Sequence, residues 1–305
     1  MQVGNHGAES GVGAAAQCQE APFAGNSALI YGGAKGIGRA VALEWARRGA
    51  KLAVADIDEM AARDTAAAII AAGAEAVALA ANVLSEDSVR AAADAAEAAL
   101  GEIGIVMNNV GSTLNGYPQD IPISEWQRMM DLNYFGAVRS IKVFVPKMLA
   151  RGSGYIVNTA SVAGLFPFAD SRIPYAASKA AIISMSQNLA ICLEPKGIRV
   201  SCLMPGPVMT DVLDSMTSWS ADCPMRGPGL ELDLKQAGQV ATTLADGMRY
   251  RKILIPTHEI AFDVIKRWSS SPDGFMRSKI GEFAAGISGR PHVPEALRQK
   301  IDAAR

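Results

Sequence analysis

Three side chains in this 305-residue chain have the types and spacing of a proton-transfer site. Tyr175 and Lys179 stand four positions apart, so one helical face would carry both. A free phenol titrates at about 10 and is a poor base at neutral pH. An ammonium beside it favours the phenolate and lowers that value. Ser161 lies 14 residues upstream, in Asn158-Thr-Ala-Ser161-Val-Ala-Gly164. A hydroxyl and a phenol converging on one oxygen suit a carbonyl or carbinol substrate. An isolated Tyr-x-x-x-Lys is common and mostly structural. The position of this one, at a helix start after a strand and a Ser turn, is what points to chemistry.

A second constellation is built to bind rather than to react. A short apolar run ends in Tyr31-Gly32-Gly33-Ala34-Lys35-Gly36-Ile37-Gly38, and a helix pattern follows. Glycines let the chain turn tightly and let backbone approach a pyrophosphate, which then sits at the helix N-terminus. Many turns contain glycine; placement between a first strand and a first helix is the distinguishing feature. Asp56 ends the second apolar run, 18 residues after Gly38. That is where a carboxylate bonds the adenosine ribose hydroxyls; the alternative is a solvent-exposed turn Asp. Facing a ribose 2′-phosphate, the carboxylate would be repelled by about 4 kcal/mol at close range and intermediate dielectric. Lys35 pulls the other way, since it would reach that phosphate. The positioned carboxylate outweighs the flexible lysine, so NAD is expected over NADP.

The elements that must position these residues are legible as alternating patterns. Short runs rich in Val, Ile, Leu and Ala occur at Ser27–Tyr31, Lys51–Ala55, Ala76–Ala81, Ile105–Met107, Gly154–Asn158 and Arg199–Leu203. They show little strict alternation, as strands covered on both faces require. Between them lie helix candidates at Gly38–Arg48, Asp58–Ala72, Glu86–Leu100, Ser124–Ala150 and Tyr175–Leu193, the last stopped by Pro195. Leu234–Arg249 reads as a further helix and Lys252–Pro256 as a seventh strand. Such alternation implies right-handed crossovers and a doubly wound parallel sheet with helices on both faces, an α/β fold.

Composition narrows the field. The chain has 29 basic and 30 acidic side chains, a net charge of −1, 19% charged and 50% hydrophobic residues. No basic stripe suggests nucleic acid, the apolar share argues against disorder, and no apolar run is long enough for a membrane span. The four cysteines, Cys18, Cys192, Cys202 and Cys223, form no metal-spaced pair. They fit reduced thiols in a cytoplasmic protein. His6, His258 and His292 are far apart and suggest neither a metal site nor a triad. Residues 1–24 lack a basic n-region and an apolar h-region, so they read as a flexible tail rather than a secretion signal.

From about Phe23 to Thr210 the chain resembles the short-chain dehydrogenase/reductase family. The matching stretches are Gly32-xxx-Gly36-Ile37-Gly38, Asn108-Asn109-Val110-Gly111, Asn133, Ser161, Tyr175-xxx-Lys179 and Pro205-Gly206-Pro207-Val208-Met209-Thr210. The resemblance implies NAD(P)-dependent hydride transfer on a Rossmann-type sheet of about seven strands, in the order 3-2-1-4-5-6-7. It implies that Tyr175 is the general acid/base. Lys179 would lower its pKa and bind the nicotinamide ribose, and Ser161 would hold the substrate oxygen. Asn133 would help hold a water linking Lys179 to solvent, or satisfy backbone groups, or both. Asn82 and Val83 would lie at the adenine edge, and Asn109 and Gly111 beside the adenosine half. Val208 and Thr210 would meet the nicotinamide carboxamide, with Pro205 and Gly206 shaping the turn. Gly32, Lys35, Gly36, Ile37, Gly38 and Asp56 complete the cofactor set.

Several departures accompany the match. Tyr31 replaces the usual threonine that steadies the glycine loop, so loop support must differ. Asn82 replaces an aspartate and Val110 an alanine, and the Ser161-to-Tyr175 interval is one residue longer than usual, through Ala169–Ile173. None removes a catalytic group, so an active enzyme is expected rather than a non-catalytic dinucleotide-binding protein. An NADP-dependent ketone reductase is the nearer alternative.

After Thr210 the family's usual ending is not evident. Residues 25–256 are expected to form one catalytic domain with a lid at about 211–234, and 257–305 an atypical helical extension packed on it. Met216–Leu232 occupies the lid position, where Met, Leu and Trp form either an apolar pocket or plain packing. Thr257-His258-Glu259 reads as the capped start of a helix, with His258 a surface or capping residue or else a substrate contact. Ser112–Gln119 and Gly164–Pro174 follow strand ends and are expected to wall the pocket. Besides Ser161 and Tyr175, Phe168 and Met209 are candidate substrate contacts. No arginine clamp other than Arg172 is evident, which favours a neutral, bulky secondary alcohol or ketone. A small-residue face, Ala177, Ala180, Ala181 and Ser184, together with the helix at Ser124–Ala150, suits a two-fold helix-bundle contact. A homodimer is expected first and a homotetramer second.

Overall fold

The computed structural model describes residues 22–210, 216–224 and 232–286. The readings made of residues 1–21 (with His6 and Cys18), of parts of the lid, and of 287–305 (with His292) lie outside the described residues. Seven strands form one parallel sheet: β1 Ser27–Tyr31, β2 Lys51–Asp56, β3 Ala76–Ala80, β4 Ile103–Asn108, β5 Gly154–Thr159, β6 Ile198–Met204 and β7 Leu254–Pro256. Their order is β3-β2-β1-β4-β5-β6-β7, as the sequence predicts. The chain direction across the sheet reverses between β1 and β4, which opens a crevice at their carboxyl ends. Tyr31 pairs with Ala55 on one side and Asn108 on the other, and Asn108 pairs with Asn158.

Alternate residues of each strand feed two cores, which is why the strands read as continuous apolar runs. Ile30, Val54 and Leu203 pack with Val41 and Trp45 of α1 (Gly36–Arg47) and with Leu244 and Met248 of α7 (Ala237–Arg249). Leu29, Val106 and Ile156 face the opposite layer. That layer holds Val89 and Ala93 of α3 (Glu86–Leu100), Phe144 of α5 (Gly136–Arg151) and Leu193 of α6 (Ile173–Leu193). Helix α2 (Glu59–Ala71) covers β2 and β3 on the first face.

Three local expectations are corrected. The helix read over Ser124–Ala150 is interrupted: α4 (Ile123–Met130) and α5 are joined by a π-helical turn, Asp131–Phe135. The extra residue in that turn aims Asn133 inward, a placement periodicity alone does not signal. The helix read from Leu234 starts at Ala237, because Lys235 and Gln236 pair in parallel with Val208 and Met209. Gln236 and Gln239 then close the helix start as a reciprocal capping box. Finally, Thr257 does not cap the next helix. Helix α8 (Ile260–Ser270) has no side-chain cap, and Thr257 turns its hydroxyl to the backbone of Gly206.

Helices α8 and α9 (Pro272–Ala284) fold back over the segment after β5. Ala261, Val264, Ile265, Phe275 and Phe283 pack with Phe166 and Phe168.

Tyr31 carries the fold in a way its position in the glycine loop conceals. Its ring is buried and its phenol donates to the Val89 carbonyl at 2.8 Å, tying β1 to α3. Burial, then the charges of Asp94 and Glu97, hold that phenol well above its ordinary pKa. Tyr31→Phe should therefore cost about 1 kcal/mol, roughly a 2–4 °C lower Tm in a domain of this size. Thermal denaturation followed by circular dichroism checks this; an unchanged Tm would show that the bond contributes nothing net.

Candidate active site

The carboxyl ends of β4, β5 and β6 and the first two turns of α6 converge on one point. Beyond β5, Ser161 caps a short 3-10 turn, Val162–Gly164, its hydroxyl accepting from the Ala163 N–H at 3.1 Å. The same oxygen donates, at 3.4 Å, to the Pro205 carbonyl. Gly164 presses this turn onto α6: a Cβ there would lie 2.4 Å from the Ala180 nitrogen. Helix α6 begins with Pro174 in its first turn, where a missing N–H costs nothing. Tyr175 follows, and Lys179 lies one turn on. The Lys179 ammonium donates to the Thr159 carbonyl at 2.9 Å and sits 5.8 Å from the Tyr175 ring centre.

Asn133 enters from the π-helical turn. Its Oδ1 accepts from the Ser112 N–H at 2.9 Å, and its Nδ2 donates to the Ser112 carbonyl at 3.1 Å and to Ser178 Oγ at 2.9 Å. Ser178 in turn donates to the Tyr175 carbonyl. A Cβ on Gly111 would come 3.0 Å from Lys179 Nζ and 3.2 Å from Asn133 Oδ1, so any larger residue there would have to displace one of them. Ser161, Lys179 and Asn133 are thus buried together, with Tyr175 half-buried beside them.

The electrostatics differ from the simplest expectation. Burial lowers Lys179 to about 8. Burial also raises the Tyr175 phenol above its ordinary value, while the Ser161 hydroxyl and the Arg172 guanidinium pull it back. Lys179 is aimed at the Thr159 carbonyl, so the cation that lowers the phenol in this arrangement is Arg172. Desolvation outweighs it because Tyr175 packs with the apolar cluster of Phe166, Phe168 and Leu165.

The glycine loop lies beside this group. Gly32 has φ +79°, and a Cβ there would sit 2.9 Å from the Val110 nitrogen. A Cβ on Gly38 would overlap the Gly32 carbonyl oxygen. The Ala34 N–H donates to Asp56 Oδ2 at 3.1 Å, while Asp56 Oδ1 accepts from the Asp58 N–H. Lys35 is paired with Asp58 at 2.7 Å. The expected substitute for the threonine support comes from two side chains. Asn109 Nδ2 donates to the Gly32 carbonyl at 2.9 Å, and Thr65, on α2, donates to the Ala34 carbonyl at 2.9 Å. Thr65 carries no sequence signal, because its contact spans 31 residues.

The remaining candidates divide. Asn82 accepts from the Leu84 N–H; Val83 is buried against Gly136. Thr210 lies 3.3 Å from the Cβ position of Gly36, so 205–210 runs from Ser161 to the glycine loop. The two expected walls are joined: the Gly116 N–H donates to the Ser171 carbonyl, and the Trp219 N–H to the Asn115 carbonyl. Phe168 is buried with Phe166 at 5.6 Å between ring centres. Met209 is 43% exposed, the most open of the candidate substrate contacts. His258 is neither a surface nor a capping residue; it is buried against Gly206.

A dinucleotide fits this geometry on two counts. The loop has no space for side chains where a pyrophosphate would approach. The start of α1 has no side-chain cap and no acidic residue in its first turn, leaving its N–H groups and dipole for an anion. Among the described residues, no cluster of His, Cys, Asp and Glu could hold a metal, and no helix is long and apolar enough to cross a membrane.

Comparison with known proteins decides the family. Residues 26–221 match the family model described as short chain dehydrogenase. The chain belongs to the short-chain dehydrogenase/reductase family. This family member is 32% identical over 217 residues to 2,5-dichloro-2,5-cyclohexadiene-1,4-diol dehydrogenase LinX of Sphingobium indicum, covering 70% of this chain and 86% of that relative. It is 34% identical over 196 residues to 7alpha-hydroxysteroid dehydrogenase of Escherichia coli, covering 63% and 74%. The crystal structure of a short-chain dehydrogenase/reductase from Burkholderia phymatum, in complex with NAD, superposes with a TM-score of 0.73 at 30% identity, covering 83% of this chain and 95% of that one. The dehydrogenase is accordingly an oxidoreductase of the Rossmann type.

The Arg172 contribution is measurable. Arg172→Met removes the guanidinium that favours the phenolate, so the pH at which alcohol oxidation reaches half its maximum should move to the alkaline side. A pH–rate profile checks this; an unshifted profile would assign Arg172 no electrostatic part.

Proposed function

We propose that this dehydrogenase oxidises a neutral, bulky secondary alcohol with NAD, or reduces the matching ketone, through Ser161, Tyr175 and Lys179. The observation that carries the reading is the convergence of those side chains beside the glycine loop, with Asn133 and Gly111 packed against Lys179. The dinucleotide, when bound, supplies the hydride acceptor or donor. Ser161 holds the substrate oxygen; its 3.4 Å bond to Pro205 is long and readily exchanged for a substrate partner. Tyr175 takes the hydroxyl proton as oxidation proceeds and returns it in reduction. Arg172 favours the phenolate once the proton has moved, and Lys179 reaches the nicotinamide ribose. Asn133 fixes the Ser112 backbone and, through Ser178, the first turn of α6.

Asp56 supports NAD. Its carboxylate closes the loop where the adenosine ribose would lie, and Lys35, the residue that would greet a 2′-phosphate, is engaged by Asp58. The Phe166–Phe168 pair supports an apolar substrate. So do the names of two relatives, dehydrogenases of a cyclohexadiene diol and of a hydroxysteroid.

The reading extends to self-association. Ala177, Ala180 and Ser184 lie exposed on α6. Beside them is an apolar groove of about 510 Å³ lined by residues that include Trp126, Met130, Phe135 and Pro174. A second copy applied to this face gives the homodimer, with a homotetramer as the next assembly.

Two measurements test these statements. Tyr175→Phe should lower turnover by about two to four orders of magnitude while NAD binding stays within a few-fold of wild type, assayed by NADH absorbance over a panel of secondary alcohols. Near-normal turnover, or a strong preference for NADP, overturns the corresponding part. Light scattering at micromolar concentration should give a dimer or larger; a monomer overturns the assembly.

A further inference from the structure

Beyond β7 the chain buries two polar side chains in succession, Thr257 and His258, 5% and 4% exposed. Their bonds form a directed chain. The Gly206 N–H donates to Thr257 Oγ1 at 2.9 Å. Thr257 Oγ1 lies 2.9 Å from His258 Nδ1, and His258 Nε2 lies 2.7 Å from the Asp233 carbonyl oxygen. A carbonyl only accepts, so Nε2 carries the hydrogen, and a neutral imidazole then accepts at Nδ1. The Thr257 hydroxyl therefore donates to Nδ1 while accepting from Gly206. Every polar atom in the series has a partner, in one direction only.

The series joins three segments of the chain. Gly206 follows Pro205, whose carbonyl accepts from Ser161 Oγ. Asp233 precedes Lys235 and Gln236, which pair with Val208 and Met209. The His258 carbonyl accepts from the Ala261 N–H at the start of α8. The Nδ1–Cε1 edge of the imidazole is pressed against the turn, since a Cβ on Gly206 would sit 2.5 Å from Nδ1 and 2.6 Å from Cε1. The Thr257 N–H donates to the Met204 carbonyl, which fixes the relay to the end of β6.

We propose that Thr257 and neutral His258 are positioning residues that hold the Pro205–Thr210 turn in register with Ser161 and so set the affinity for the nicotinamide end of the dinucleotide. The inference rests on the functional reading above, in which that turn faces the nicotinamide. A consequence for acid pH follows. A proton on Nδ1 would make both ring nitrogens donors, and the buried Thr257 hydroxyl would lose the acceptor for its own hydrogen. The charged groups facing the ring are Asp233, with Oδ1 3.2 Å from Nε2, and Lys235, whose ammonium lies 3.6 Å from the same carboxylate oxygen. Burial and Lys235 oppose protonation and Asp233 favours it, leaving the imidazole below its ordinary pKa. The neutral form therefore prevails at neutral pH, and acidification is what breaks the relay.

The test uses the full chain, with NAD as the probe, titrated calorimetrically and in steady-state assays. In Thr257→Val, which keeps the shape and removes the hydroxyl, Kd and KM for NAD should rise roughly fivefold to tenfold. Its kcat should change less than twofold, and Thr257→Ser should restore both constants. In wild type, Kd for NAD should rise as the pH falls from about 7 toward 5, and His258→Gln should abolish that dependence. Folded variants with wild-type Kd and KM overturn the inference. Should the variants fail to fold, a wild-type Kd that stays flat over the same pH range overturns it equally. Failure of the wild type to bind NAD or NADP at all instead overturns the functional reading, and this inference with it.

Discussion

A buried ammonium held by one backbone carbonyl organises the centre of this molecule. Lys179 gives up most of its hydration, which is why its pKa falls to about 8, and the Thr159 carbonyl at 2.9 Å is its hydrogen-bond acceptor. That bond locks the second turn of α6 to the end of β5. With it fixed, the first turn of α6 must lie where Tyr175 meets Ser161, and the Gly164 turn must press against the helix backbone. Gly111 is confined by the same ammonium. Placement of Tyr175 beside Ser161 is thus a by-product of accommodating one desolvated cation.

A buried polar ladder makes the sheet rigid enough to hold that arrangement. Asn108 donates to Asn158 across β4 and β5, Asn158 to Ser186 of α6, and Ser186 back to the Ile182 carbonyl. Thr159 donates to Asn109, which donates to Gly32 in the glycine loop. Side chains on two strands, on the turn after β4 and on one helix therefore connect the glycine loop to the surroundings of Lys179 without passing through solvent. Such a network is costly when broken in one place and stiff when complete.

Much of this was legible in the sequence. All seven strands, their order, the glycine loop and the Tyr175/Lys179 pair follow from runs, spacings and one family resemblance, because each is a local pattern repeated along the chain. What escaped is non-local. Thr65 supports the loop from 31 residues away. From sequence His258 reads as a surface or capping residue or a substrate contact, because nothing nearby in the chain reveals that Asp233 and Gly206 lie against it. Asn133 was identified, but not the π-helical turn that aims it, since one inserted residue leaves the apolar pattern almost unchanged. Local spacing linked Lys179 to Tyr175, yet the direction of the phenol's shift depends on burial and on Arg172, which only the assembled site reveals.

The packing of α8 and α9 on Phe166 and Phe168 has a consequence for biosynthesis. Those helices follow the phenylalanines by about 90 residues, a delay of roughly 5–20 s at ordinary rates of translation. During that interval the loop after β5 exists without its cover, and two aromatic rings destined for burial face water. The nascent chain therefore passes through a stage in which this aromatic pair lacks the cover that α8 and α9 later provide. Speed of elongation through the C-terminal helices, rather than assembly of the sheet, sets how long that surface is available to chaperones and to neighbouring chains.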